Sequence, residues 1–257
     1  MLRRIWLISF LSVAAAAQDS FVVRDVRLFD GEKVIPRTSI VVRGGIIRAI
    51  QSNVASEPSL SVIDGTGKTL MPGLIDAHAH VFAFADLKQA LAFGVTTELD
   101  MFGSPALIAA WKQLERQGKT NGMADVRFAG IGANAPGGRD FDFPVPTIRG
   151  PQEAEAFVDA RLAEASDYIK IIYNSGVPAA SQTPAISRET MAALIAAAHR
   201  RGKLALVHIG LESAAREALA AGGDGLAHLF TGASAEPGFG AIAWRICSSA
   251  IWGFVRK

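Results

Sequence analysis

The chain has 257 residues, 50% of them hydrophobic, so it can bury a sizeable core and is neither disordered nor collagen-like. Lys and Arg number 26 against 24 Asp and Glu, a formal net charge of +2, and no dense basic run occurs, which leaves nucleic-acid binding without support. Cys247 is the single cysteine, excluding both an intrachain disulfide and a cysteine metal cluster.

The first elements read as targeting and then as β structure. Met1-Leu-Arg-Arg is a short positive start, Ile5 to Val13 is an apolar run too short to span a bilayer comfortably, and Ala14 to Ala17 offers small residues before Gln18. Residues 1–17 are expected to be a cleaved export signal, with no stable membrane anchor and a periplasmic or secreted mature chain. From Phe21 to Met71 the sequence is β-branched and punctuated by turns. Phe21–Leu28 is one strand, Asp30-Gly31 a hairpin signal, Ser39–Ile50 two strands around Gly44-Gly45, and Ser61–Asp64 another. Residues 18–72 are therefore expected to form a small β-sandwich.

After Pro72 the rhythm changes to strands alternating with amphipathic helices, which implies βαβ units and a parallel sheet. The strand candidates are Leu74–His80, Val95–Met101, Val126–Ala133, Tyr168–Tyr173, Leu204–Ile209 and Gly225–Phe230. The helices between them include Pro105–Gln117 behind Ser104 as cap, Arg188–Arg201 behind Ser187, and Glu212–Ala221 closed by Gly222-Gly223. Residues 73–257 are expected to form an incomplete (β/α)8 barrel, because they fall short of the ~200 residues that eight such units need.

Two histidines, His78 and His80, end the first of these strands with one residue between them. Successive side chains alternate along a strand, so both project the same way and can grip one metal ion. Alone this is a weak signal. It sharpens because Lys170, His208 and His228 also sit near the ends of apolar strand-like runs, where barrel enzymes keep their active sites. The bland alternatives are satisfied structural histidines and a lysine snorkelling from a strand end. His199 lies inside an alanine-rich helix and reads as structural.

The motifs, in order, are Leu-Met-Pro-Gly-Leu-Ile-Asp-Ala-His-Ala-His ending at His80, Ala-Phe-Gly-Val-Thr-Thr-Glu-Leu-Asp ending at Asp100, Tyr-Ile-Lys-Ile around Lys170, Ala-Ala-His-Arg-Arg-Gly-Lys-Leu-Ala-Leu-Val-His ending at His208, and Gly-Leu-Ala-His-Leu-Phe around His228. Together they resemble the metal-dependent amidohydrolase superfamily, within the group similar to imidazolone-propionase and secreted Xaa-Pro dipeptidases. The resemblance covers the chain from about Phe21 to Phe230. It implies that His78 and His80 bind a first metal, that Lys170 carries a carbamate bridging to a second, and that His208 and His228 bind that second metal. It implies two zinc ions, with other divalent metals open, and a small-molecule or dipeptide substrate; association into homo-oligomers stays open. Zinc favours neutral imidazole and anionic oxygen, and a free ammonium beside a dication would be repelled, so Lys170 fits only if modified or deprotonated.

Other residues near these ends are secondary candidates. Asp76 shares the His78 strand face but is expected deeper, orienting a ligand or organising the barrel floor; Asp100 is expected to act behind the ligands or cap a helix. Arg139, on the Gly132–Phe143 loop with Asp140, is a candidate carboxylate contact, and Tyr173 and Asn174 follow Lys170. Relatives also carry an aspartate at the end of the eighth barrel strand, whereas no aspartate follows Asp224 here. The expected function is metal-dependent hydrolysis of C–N bonds, amide or cyclic amide, impaired by that absence. The alternative is a non-catalytic metal-binding remnant or a gene fragment.

Overall fold

The computed structural model describes residues 20–52, 54, 58–138, 145–173 and 184–228. The expected signal (residues 1–17), Arg139, Asp140, Asn174 and Cys247 lie outside them. The chain divides into two compact units, one ending at Pro72 and the other beginning at Gly73. No helix among the described residues is long and apolar enough to cross a membrane.

The first unit is a five-stranded sheet of β1 (Phe21–Phe29), β2 (Val34–Arg43), β3 (Ile46–Gln51), β4 (Ser61–Asp64) and β5 (Thr69–Leu70). Its order is β3-β2-β1-β4, with β5 also on β1. The β1–β2 hairpin turns where Asp30 Oδ1 accepts the backbone N–H groups of Glu32 and Lys33, at 3.0 and 2.9 Å. The β2–β3 turn uses Gly44 and Gly45 at φ +56° and +72°, a left-handed pair that glycine adopts without strain. Alternation along β1 and β2 buries Val23, Val26, Leu28, Ile40 and Val42 in one cluster and Val22 and Val41, with Leu60, in another. The described part of this unit is a single sheet.

The second unit alternates strand and helix. Its strands are β6 (Leu74–Ala79), β7 (Val95–Asp100), β8 (Asp125–Phe128), β9 (Ile169–Ile172), β10 (Ala205–His208) and β11 (Gly225–Ala227). Between them run α1 (Phe84–Ala92), α2 (Pro105–Arg116), α3 (Ala154–Ala163), α4 (Arg188–Arg200) and α5 (Glu212–Ala220). Ser104 and Ser187 cap α2 and α4, accepting from the backbones of Leu107 and Thr190. Helix α1 has no such signal. Its start is held by Asp86, whose Oδ2 accepts from Phe82 N and Ala83 N at 2.9 Å each.

All strand pairs here are parallel, in two groups, β6-β7-β8 and β9-β10-β11. They are joined at Ala133, which pairs with Ile171 in a parallel bridge. There Ala133 N donates to Lys170 O at 2.8 Å, and Ile172 N donates to Ala133 O at 2.9 Å. Helices on the strands bury Trp111, Phe128 and Leu87 in one cluster and Ile169, Ile171, Met191, Leu194 and Val207 in another. Parallel strands covered this way are apolar on both faces, which is why they read as near-continuous hydrophobic runs.

Two strands are shorter than the apolar runs suggest. Strand β8 stops at Phe128 because Gly130 takes φ +69°, and the chain rejoins the ladder only at Ala133. A Cβ at Gly130 would stand 2.4 Å from Ser166 Oγ, so neither the dihedral nor the space admits a side chain easily. Strand β11 stops at Ala227, before His228 at φ +71°. Gly130→Ala should lower stability by roughly 1–2 kcal/mol in denaturant titrations, the left-handed penalty for an L-residue. An unchanged midpoint would show that this break is not imposed by the backbone.

Candidate metal centre

Four histidines expected from sequence meet at the ends of the parallel strands. His78 lies near the end of β6 and His80 just past it, with ring centroids 5.5 Å apart. His228 follows β11, and its ring stands 4.4 Å from that of His78 and 4.5 Å from that of His208, the last residue of β10. Four imidazoles from three strands thus form a chain of neighbours, in the order 80, 78, 228, 208. His228 holds a positive φ uncommon for a residue with a side chain, as backbone at functional sites often does.

Local chemistry at β6 differs from simple alternation. The register with β7 pairs Asp76 with Glu98 and Ala79 with Asp100, so three steps on β6 face two on β7. This is a bulge at Ala77–His78. Asp76 sustains it, because its Oδ1 accepts the His78 backbone N–H at 2.9 Å. Asp76 was expected to lie deep but is exposed; its carboxylate orients the backbone of His78. His80 and His228 are also exposed, and His78 and His208 are half-buried.

Lys170 is 4% exposed on β9, between the buried Ile169 and Ile171. Its stem runs past Gly132, where a Cβ would come within 3.3 Å of Lys170 Cγ. Its charge reaches the histidines. Burial pushes the His78 pKa down to about 4, helped by the charges of Lys170, His228 and His80 and opposed by Asp76. His78 is therefore a neutral imidazole at neutral pH, the form that binds zinc. Burial also pushes the Asp100 carboxyl up to about 7, against the pull of the Val81 and Phe102 backbone N–H groups.

Among the described residues, no three His, Cys, Asp or Glu side chains already stand as a finished metal cage. The donor set nonetheless fits a divalent ion: imidazoles gathered at one strand-end rim beside a buried amine. Turning imidazoles about side-chain torsions is easier than moving the strands that carry them.

The remaining candidates separate clearly. His199 lies on α4, where Nε2 meets Asp224 Oδ2 at 2.8 Å, and the same oxygen accepts Ala205 N at 2.8 Å; this pair braces α4 against the start of β10. Tyr173, expected near substrate, is 2% exposed, and its hydroxyl is bonded to Glu217 on α5, so it serves the packing of that helix. Glu98, which sequence reasoning passed over, is 9% exposed on β7 with its pKa raised by burial and by Asp76 and Asp86. The signal was its two-residue spacing from Asp100.

No protein-family model matches the chain. The L-hydantoinase of Paenarthrobacter aurescens is 27% identical over 148 residues, which cover 52% of this chain and 30% of that protein. A crystal structure of an amidohydrolase superposes with a TM-score of 0.70 and 25% identity, covering 81% of this chain and 60% of the other. A Xaa-Pro dipeptidase crystallised with methionine in its active site superposes with a TM-score of 0.68 and 26% identity, covering 80% and 61%. The chain thus spans less than a third of that curated relative and about three fifths of those structures. Sequence and fold together place the chain in the amidohydrolase superfamily.

Proposed function

We propose that the chain is a metal-dependent hydrolase of C–N bonds, acting on a dipeptide or on a small linear or cyclic amide. The observation that carries this reading is the 4.4 Å approach of the rings of His78, on the first described strand of the second unit, and His228, directly after the last. The parallel strands with intervening helices in the second unit support a (β/α) barrel. A hydantoinase and a dipeptidase among the relatives support amides as the substrate class.

In this reading His78 and His80 would hold one zinc ion and His208 and His228 a second, and Lys170, carboxylated on Nζ, would supply anionic oxygen. Lys170 is buried on β9, and addition of carbon dioxide to its deprotonated Nζ, with loss of a proton, would turn the amine into an anionic carbamate. When bound, the metal supplies Lewis acidity toward the scissile carbonyl and lowers the pKa of water towards ~7. The chain's own contribution is orientation: Asp76 fixes the backbone of His78, and β10 and β11 present His208 and His228 at one rim.

Two measurements test the reading. In the metal-free protein, NMR should find His78 neutral until the pH falls to about 4, against an ordinary value of 6.5. An unfolded chain takes up a proton at this residue between those values and the folded one does not. The stabilisation is therefore complete above the ordinary value and lost as pH falls towards 4, and His78→Gln should flatten that decline. Titration of His78 near its ordinary value would contradict the burial and charge described. For activity, the protein loaded with zinc should hydrolyse dipeptides or hydantoins, and His78→Ala should lower that rate by at least the ~10-fold that loss of metal affinity brings. Hydrolysis confined to lactones or phosphotriesters would refute the amide assignment.

A further inference from the structure

We propose that Asp100 is a positioning residue, tying the His80 end of the site to the strand that carries Lys170; the inference rests on the metal-site reading above. Asp100 is fully buried at the end of β7, and its atoms reach three other strands or their ends. Its Oδ1 accepts the backbone N–H of Val81, the residue directly after His80, at 2.9 Å. Its main-chain oxygen accepts from Ala129 N at 2.9 Å, just past β8, and from the Tyr168 hydroxyl at 2.6 Å. Tyr168 is itself fully buried and stands two residues before Lys170. In the other direction, Met101 N donates to Ala79 O at 2.9 Å, so the backbone either side of His80 is held from β7.

The two carboxylates around His78-Ala-His80 divide the work. Asp76 takes the N–H of His78, and Asp100 takes the N–H of Val81. The first sustains the bulge; the second pins the point where the strand ends and the chain turns towards α1. Room for the Asp100 carboxylate comes from Gly103, where a Cβ would fall 2.6 Å from Oδ2. With Oδ1 engaged by Val81 and Oδ2 over Gly103, Asp100 acts through the backbone beside His80 and is not a ligand.

What this role needs is an acceptor at the Oδ1 position rather than a negative charge. Asparagine retains that acceptor and alanine removes it; glutamate retains the charge but displaces the acceptor by one methylene. Partners behind metal ligands typically contribute 10–100-fold to metal affinity. Asp100→Ala is therefore expected to weaken cobalt(II) binding by about that factor and to alter the visible absorption of the bound cobalt, while Asp100→Asn stays close to the parent in both. If Asp100→Ala does not fold, Asp100→Glu gives the same reading.

A readout without metal separates this inference from the site reading. In metal-free protein, Asp100→Ala or Asp100→Glu should shift the NMR signals of the His80 ring and the Val81 amide, while Asp100→Asn leaves the His80 ring in place. A parent that binds no cobalt while these shifts occur overturns the metal site and leaves the positioning role standing. Disruptive variants with parental His80 and Val81 signals, or with parental cobalt affinity and spectrum, overturn the positioning role, as does failure of Asp100→Asn to restore them.

Discussion

The two hydrogen bonds that Ala133 makes to β9 hold the candidate centre together. Through them the β6-β7-β8 group continues into the β9-β10-β11 group with every strand running the same way. A common direction gathers the C-terminal strand ends at one rim, and the histidines on β6, β10 and β11 meet there although they are far apart in sequence. Gly130 makes the join possible. Its left-handed backbone takes the chain out of β8 and lets Ala133 re-enter beside Ile171. The strands set where the rings are, and the side chains have only to turn.

Charge is the second constraint. The rim brings Lys170, His78 and His228 within electrostatic reach of one another, in a partly dry environment. The charge of a lysine only 4% exposed on β9 adds to burial in keeping the His78 ring neutral. Such an arrangement has little value as packing, since a leucine at Lys170 would fill the same strand face without the cost of burying a cation. Under the proposed function, a cationic metal and an anionic bridge would replace those charges.

Much of this was legible in the sequence because it depends on local pattern. Ser104 and Ser187 announced α2 and α4 through the oxygens that cap them, and the apolar runs around Lys170 and His208 announced β9 and β10. What escaped was set by contacts distant in sequence or by departures from a period. Helix α1 begins after Val81-Phe-Ala with no hydroxyl cap, and only Asp86 reaching back to Phe82 and Ala83 marks its start. The bulge at Ala77–His78 has no signature beyond an aspartate two residues earlier, a common event in any chain. Tyr173 sits one residue beyond β9, where substrate contacts were expected, but its hydroxyl turns to Glu217 on α5, a choice made by helix packing. Asp100 looked like a helix cap or a residue behind the ligands; its link to Tyr168 spans 68 positions and could not be read from either segment.

His78, His80, Lys170, His208 and His228 are proposed to share a metal centre. Crystals of the chain grown with zinc and measured across the zinc absorption edge test it most directly. Anomalous peaks are expected at the strand-end rim, with imidazole nitrogens of His78 and His80 at ~2.0–2.1 Å from one ion and those of His208 and His228 at the same distance from a second. Density extending from Lys170 Nζ towards both ions would complete the centre. A rim without an anomalous peak, or zinc held instead by His199 and Asp224, would contradict it.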